Sequence, residues 1–229
     1  MNTTSKLDQL LIVSITPYFL EKQVFWFQKN LKKILDARHS QSFFEDNIVF
    51  LEKGQNYNFS KFLRKLDEMG YERVFKVQEP GEFSQRGGIV DVFPINLKQA
   101  VRLDFLSNDI ESIGLLDIKI DDEEKSKNIL KKRLNSQKLF SDLKGLKYGD
   151  CLVHLDHGIG KFTEITEFEL PDAEKQKYYV LEYAQEDKLY VPVGLERKLS
   201  RYVGFSDPKV SRLGSSFWQK TKGKIKEEV

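Results

Sequence analysis

The sequence predicts an α+β chain: an N-terminal α/β module with a small antiparallel sheet, a linker helix, a small SH3/Tudor-like β-barrel and a C-terminal helix. Three observations predict it. In Val101-Arg102-Leu103-Asp104-Phe105-Leu106, Val101, Leu103 and Phe105 point one way, and Arg102, Asp104 and Leu106 the other. That is the period of a sheet with one buried face. Phe59, Phe62, Leu63, Leu66 and Met69 recur at helical spacing behind Asn58, a capping residue, and before Gly70, a helix-ending one. From Gly149 onward short apolar runs alternate with turn residues, the texture of a small all-β unit.

Taken in order, Leu10 to Ser14 reads as a short buried strand. Thr16-Pro17 follows as an N-cap with proline in the first helical turn, and apolar residues from Phe19 to Ile34 continue at helical spacing with a break. Ile48 to Leu51 is a strand, Phe59 to Met69 the clearest helix, and Glu72 to Gln78 a strand. A Gly81 turn leads to the Ile89–Phe93 strand, then to Val101–Leu106, a Ser107-Asn108-Asp109 turn and a strand at Ile110 to Ile113. Asp121 to Lys138 turns from acidic to basic with few apolar residues, and reads as a solvated linker helix. The all-β part places strands at Asp150–Leu155, Lys161–Leu170, Tyr178–Ala184 and Leu189–Val191. Ser216-Phe217-Trp218-Gln219 is a capping-box pattern that opens a basic helix.

Composition narrows the function classes. With 229 residues and 40% hydrophobic content the chain builds a core, and 37 basic against 35 acidic side chains do not demand a nucleic-acid partner. One cysteine, Cys151, excludes an intrachain disulfide framework and fits a reducing compartment. The best apolar run, Leu10-Leu11-Ile12-Val13, is far short of the roughly 20 residues a membrane span needs. The expectation is a cytoplasmic protein without a membrane partner.

Catalytic and metal patterns fail on inspection. His157-Gly158-Ile159-Gly160-Lys161 lacks the earlier glycine and the Ser or Thr after lysine of a phosphate loop; Leu155 and Phe162 stand there. Cys151, His154 and His157 lack a fourth zinc ligand, and Cys151 faces away from His154 along a strand. No cofactor, no metal and no catalytic residue is expected.

Two sets of motifs carry a family resemblance. Gly81-Glu82-Phe83, the run Arg86-Gly87-Gly88-Ile89-Val90-Asp91-Val92-Phe93-Pro94, Arg102-Leu103-Asp104-Phe105 and Asp109-Ile110-Glu111-Ser112-Ile113 resemble the UvrB-homology module of bacterial transcription–repair coupling factors. Gly149-Asp150, Val153-His154, Asp156-His157-Gly158-Ile159-Gly160, Leu181-Glu182-Tyr183-Ala184, the run from Asp187 to Val193, Ser200-Arg201-Tyr202 and Leu213-Gly214 resemble the CarD-like RNA-polymerase-interacting domain of the same family. The two signatures stand in family order.

The resemblance implies a UvrA-binding module at 1–115, a linker helix at 116–145, a polymerase-interacting barrel at 146–207 and a basic C-terminal helix at 208–229. It implies UvrA contacts at Arg86 and Arg102, and at Leu106 where the family carries an aromatic. It implies strand addition to the RNA polymerase β subunit at Phe168, Glu169 and Leu170, with Leu189, Tyr190 and Val191 adjacent. Val191 and Leu189 are expected in the core and Tyr190 outside. Weak DNA contact falls to Lys220, Lys222 and Lys224. The family's ATP-driven translocase has no counterpart in these 229 residues. The expected function is therefore a non-enzymatic adaptor of transcription-coupled excision repair. A CarD-like transcription regulator and an N-terminal piece of a translocase stay open as alternatives.

Overall fold

A computed structural model describes residues 6–120, 124, 127–131, 143, 145–168, 175–214 and 218. The chain divides into two compact units: Met1–Lys32 with Asn47–Leu139, and Lys33–Asp46 with Phe140–Val229.

In the first unit, β1 (Gln9–Val13) pairs antiparallel with β2 (Ile48–Glu52). Thr16 caps α1 (Pro17–Leu20), its hydroxyl accepting from the Phe19 N–H, and after a break α2 (Val24–Ala37) begins. Helix α4 (Phe59–Glu68) is capped as its sequence predicts: the Asn58 side chain accepts from the Lys61 N–H at 2.8 Å. A second asparagine, Asn108, accepts from the Phe59 N–H at 3.0 Å, which ties the helix start to a hairpin turn 49 residues away. Two of the four orphan donors of the helix start are thereby satisfied.

The larger sheet has the order β3-β4-β5-β6-β7: β3 (Glu72–Arg73), β4 (Glu82–Arg86), β5 (Ile89–Val92), β6 (Gln99–Leu106) and β7 (Asp109–Lys119). One face carries Phe83, Val90, Val92, Val101, Leu103 and Phe105 into a core shared with Phe62 and Leu66 of α4. Fully burying a side chain of this size is worth about 1.5–3 kcal/mol, which makes that face the main stabilising layer.

Two strands differ from expectation. The strand expected over Glu72–Gln78 stops at Arg73, because the buried Glu82 carboxylate accepts from the Gln78 and Glu79 N–H groups and bends the segment into a loop. Strand β7 runs beyond Ile113 to Lys119, since Leu116 and Ile118 pack against a second small core of Val77, Phe93 and Ala100. Of the stretch expected as a linker helix, 116–119 is thus strand, residues 127–131 are helical, and most of the rest lies outside the described residues.

In the second unit the strand order is β11-β10-β9-β8-β12: β8 (Cys151–His154), β9 (Gly158–Phe168), β10 (Gln176–Glu182), β11 (Lys188–Pro192) and β12 (Leu199–Arg201). Each strand gives at least one side chain to a single core, among them Leu152, Phe162, Leu181, Val191 and Leu199. The sheet therefore curls as a barrel wall does, but β11 and β12 do not pair among the described residues, so the expected barrel is open. Gln185 and Glu186, both at positive φ, form the tight turn between β10 and β11.

Helix α3 (Ser42–Asn47), which the sequence reading did not predict, contributes to this unit. Its Asp46 accepts from the buried Arg201 at 2.8 Å, and Phe44 stacks on Phe205 at 5.3 Å. Residues 208–214 of the expected C-terminal helix are not helical; Lys220, Lys222 and Lys224 lie outside the described residues.

Candidate interaction surfaces

The outer face of the first unit's sheet is polar at one end, and a two-glycine turn sets its shape. Gly87 sits at φ 59°, and a side chain on Gly88 would strike the Phe105 carbonyl. The turn therefore closes only with glycine at both places, and it leaves Arg86 at the end of β4. Across the register, Arg86 lies opposite Ile89, Asp91 opposite Arg102, and Ile89 opposite Asp104.

Asp91 organises this face. Its side chain is 7% exposed, and its two oxygens accept from Arg102 Nε at 2.7 Å and Nη2 at 2.8 Å. The second oxygen also accepts from Arg86 Nη2 at 2.9 Å. Two guanidinium groups share this one carboxylate, and both arginines remain accessible at 53% for Arg86 and 37% for Arg102. A two-pronged Arg–carboxylate pair fixes direction as well as position. The Asp91 hydrogen bonds, with the charges of Asp91 and Asp104, push the Arg102 pKa further above its usual value, against the opposing effect of burial.

Leu106 ends the same strand face and is 64% exposed, with Ile89 partly exposed beside it. The structure thus brings Arg86, Arg102 and Leu106 onto one face. It pairs Arg102 with Asp91 rather than with Asp104, which binds Ser112 instead. Sequence reasoning quoted Asp91 in its motif but gave it no role. The signal was there: an acid at an outward position of an otherwise apolar strand, Ile89-Val90-Asp91-Val92.

The second surface is made of backbone. Strand β8 pairs with β9 only from Gly158 to Lys161, and Phe162 adds two further bonds, donating to the Asp150 carbonyl and accepting from the Gly149 N–H. The remainder of β9, Thr163 to Phe168, pairs with β10 on one side and with no described strand on the other. Orientation follows from the register. The Val193 N–H donates to the Lys177 carbonyl, so Lys177 turns its backbone away from β9. Lys177 lies opposite Glu167, so Glu167, and by alternation Ile165, turn their N–H and C=O groups to the open edge.

Strand β11, like β12, is a terminal strand of the sheet, and its edge is blunted. Its outward backbone positions are Lys188, Tyr190 and Pro192, and proline has no N–H to offer. Val191 is buried, Leu189 packs against the core and Tyr190 is 43% exposed, in the alternation expected from sequence. Phe168 stands over Tyr190 at 5.3 Å and over Tyr178 at 5.7 Å, an aromatic cluster on the sheet face beside the open edge. Glu169 and Leu170 lie outside the described residues. The sequence signal for the edge was a length mismatch, a strand at 150–155 too short to cover its partner at 161–170.

Buried His154 accepts the Asp156 N–H through Nδ1, and its ring lies 4.7 Å from that of His157. Burial first, then the neighbouring His157, lowers its pKa to about 4. Among the described residues no three His, Cys, Asp or Glu side chains gather as metal ligands, and no helix is long and apolar enough to cross a membrane.

Comparison with known proteins agrees with the motif reading. Residues 49–140 match the family described as UvrB interaction domain, and residues 146–203 the family described as CarD-like/TRCF RID domain. Among similar proteins are the transcription-repair-coupling factors of Haemophilus influenzae (39% identical over 101 residues, 43% of this chain and 9% of that protein) and Bacillus subtilis (38% over 117 residues, 48% and 10%). That of Mycobacterium bovis is 45% identical over 93 residues, 37% of this chain and 8% of that protein. The matched stretch spans about a tenth of each relative's length. The two family matches follow one another along the chain, and a stretch of 93 to 117 residues is similar to transcription-repair-coupling factors.

Proposed function

We propose that this chain is an adaptor that docks UvrA through the outer face of β4, β5 and β6 and the RNA polymerase β subunit through the open edge of β9. The observation that carries the reading is the pairing of two interaction-domain signatures on one chain, each with an accessible surface of its own. Arg86 and Arg102, aimed by Asp91, offer an acidic partner surface two positive forks, and Leu106 and Ile89 add apolar area. Thr163 to Phe168, a Thr-Glu-Ile-Thr-Glu-Phe run, offers a strand edge with no pairing partner among the described residues, ready for strand addition. Held on one chain, two modest sites gain through effective concentration when both partners are present.

The test is a titration of the chain against purified UvrA and, separately, against polymerase by biolayer interferometry. Saturable binding to both supports the adaptor. Polymerase binding alone, from a chain with native circular dichroism, overturns the UvrA half and leaves the CarD-like regulator.

A further inference from the structure

We infer that the solvent face of α2 is a binding site for single-stranded nucleic acid. The inference is independent of the docking reading above, since it uses none of the same residues.

The chain is nearly neutral, yet the stretch from Lys22 to Leu35 holds four lysines, Lys22, Lys29, Lys32 and Lys33, and no acidic residue. Helical spacing puts Phe25, Lys29 and Lys32 on one stripe, with Lys29 about 6 Å and Lys32 about 10 Å along the axis from Phe25. Phe25 is 69% exposed, and Lys29 and Lys32 are exposed and form no ion pair among the described residues. Lys22 lies three residues before Phe25, in the bend that precedes α2. Its ammonium lies 4.7 Å from the Tyr18 ring centre and 5.5 Å from that of Trp26, so two rings hold it in place. Glu21 and Asp36 bound the stripe at its two ends.

The arrangement is a row of cations with one bare aromatic ring inside it. Burial does not explain that ring, since α2 buries a different stripe, including Phe27 and Ile34. A lipid surface would gain only Phe25, because the apolar stripe a membrane-lying helix would insert is already used. A duplex would use the lysines and leave the ring idle. A single strand uses both: phosphates meet the lysines, and an unpaired base stacks on Phe25 whatever its identity.

The test is fluorescence anisotropy with a labelled oligothymidine of about 20 nucleotides, a duplex of equal length, and unlabelled polyglutamate as competitor. The parent chain is expected to bind the single strand and to lose about 20-fold in affinity between about 50 and 200 mM salt, as three phosphate contacts require. Lys29→Glu with Lys32→Glu should lower affinity at least about tenfold. Phe25→Ala should cost about fivefold or more on the single strand and nothing on the duplex. These side chains are exposed, and unchanged circular dichroism verifies the fold of each variant. Absence of binding overturns the proposal, as does equal displacement by polyglutamate. Duplex binding as tight as single-strand binding also overturns it, as does loss of binding on reversing Lys220, Lys222 and Lys224 with the α2 variants unaffected.

Discussion

In the first unit the groups poised for a partner are side chains, two guanidinium forks pinned by one buried carboxylate. In the second they are backbone N–H and C=O groups along Thr163 to Phe168, which no described strand pairs. The difference decides what each surface can read. A side-chain surface discriminates by charge and shape, and a single substitution can reverse it. A strand edge accepts many sequences, because its hydrogen bonds do not depend on side-chain identity. On the adaptor proposal one chain would join a selective surface to a tolerant one, and substitutions should separate the two cleanly.

The largest effect should come from Arg102→Glu. Reversing this charge sets a new carboxylate against Asp91 and Asp104 and removes a bidentate fork. Loss of about 2–5 kcal/mol, or about 30-fold or more, is expected for UvrA binding, with polymerase binding unchanged. Interferometry with both partners measures it, and parallel loss of both would show that the two surfaces are not separable.

On the strand edge, Glu167→Pro removes an outward N–H without touching the β9–β10 ladder. About a tenfold loss of polymerase binding is expected, from one hydrogen bond and the bulk of the ring. Tyr190→Pro, on the edge already blunted by Pro192, should cost less. The reverse order would move the docking edge to β11. Glu167→Gln should be nearly silent, as a backbone-read surface requires.

Asp91→Asn probes how the arginines are held. It keeps the shape and removes the charge, so both guanidinium groups lose a charge-assisted bond. A stability loss of about 1–2 kcal/mol by urea unfolding is expected, with about a fivefold weaker UvrA interaction. Unchanged binding would mean that the arginines find their direction from the partner alone.

How much of this was legible in the sequence depends on the distance between cause and effect. The Asn58 cap, the alternation of β6 and the glycine turn are local, and the residues announce them. Asp91 and Arg102 are 11 residues apart, so their pairing needs the β5–β6 register, which composition does not supply. The ion pair of Arg201 with Asp46 spans 155 residues, and α3 gave no periodic signal in its six residues. The open barrel departs from expectation because strand count predicts curling, while closure depends on whether the first and last strands meet.

Acid should separate the units further, since the buried His154 falls in the second. His154 titrates near pH 4 when folded, against about 6.5 when unfolded. Between those values the unfolded chain binds a proton that the folded chain refuses, so stability falls as pH drops from about 6.5 to 4. A loss on the order of 1–2 kcal/mol by about pH 5 is expected in the second unit, read by amide exchange, and His154→Gln should flatten it. An equal slope in both units would contradict this assignment.

The smallest effect expected is a gain. Leu106 is 64% exposed at the end of β6, at the position where the family resemblance leads one to expect an aromatic. Leu106→Phe adds apolar area to the arginine face, and roughly 40 Å² more buried in a complex would contribute about 1 kcal/mol. Tighter UvrA binding, by about fivefold at most, should follow, with polymerase binding and urea stability unchanged because the position is exposed in the free chain. A gain places Leu106 inside the contact. No change places the contact around Arg86 and Arg102 alone, and the selective surface then reads charge with little help from shape.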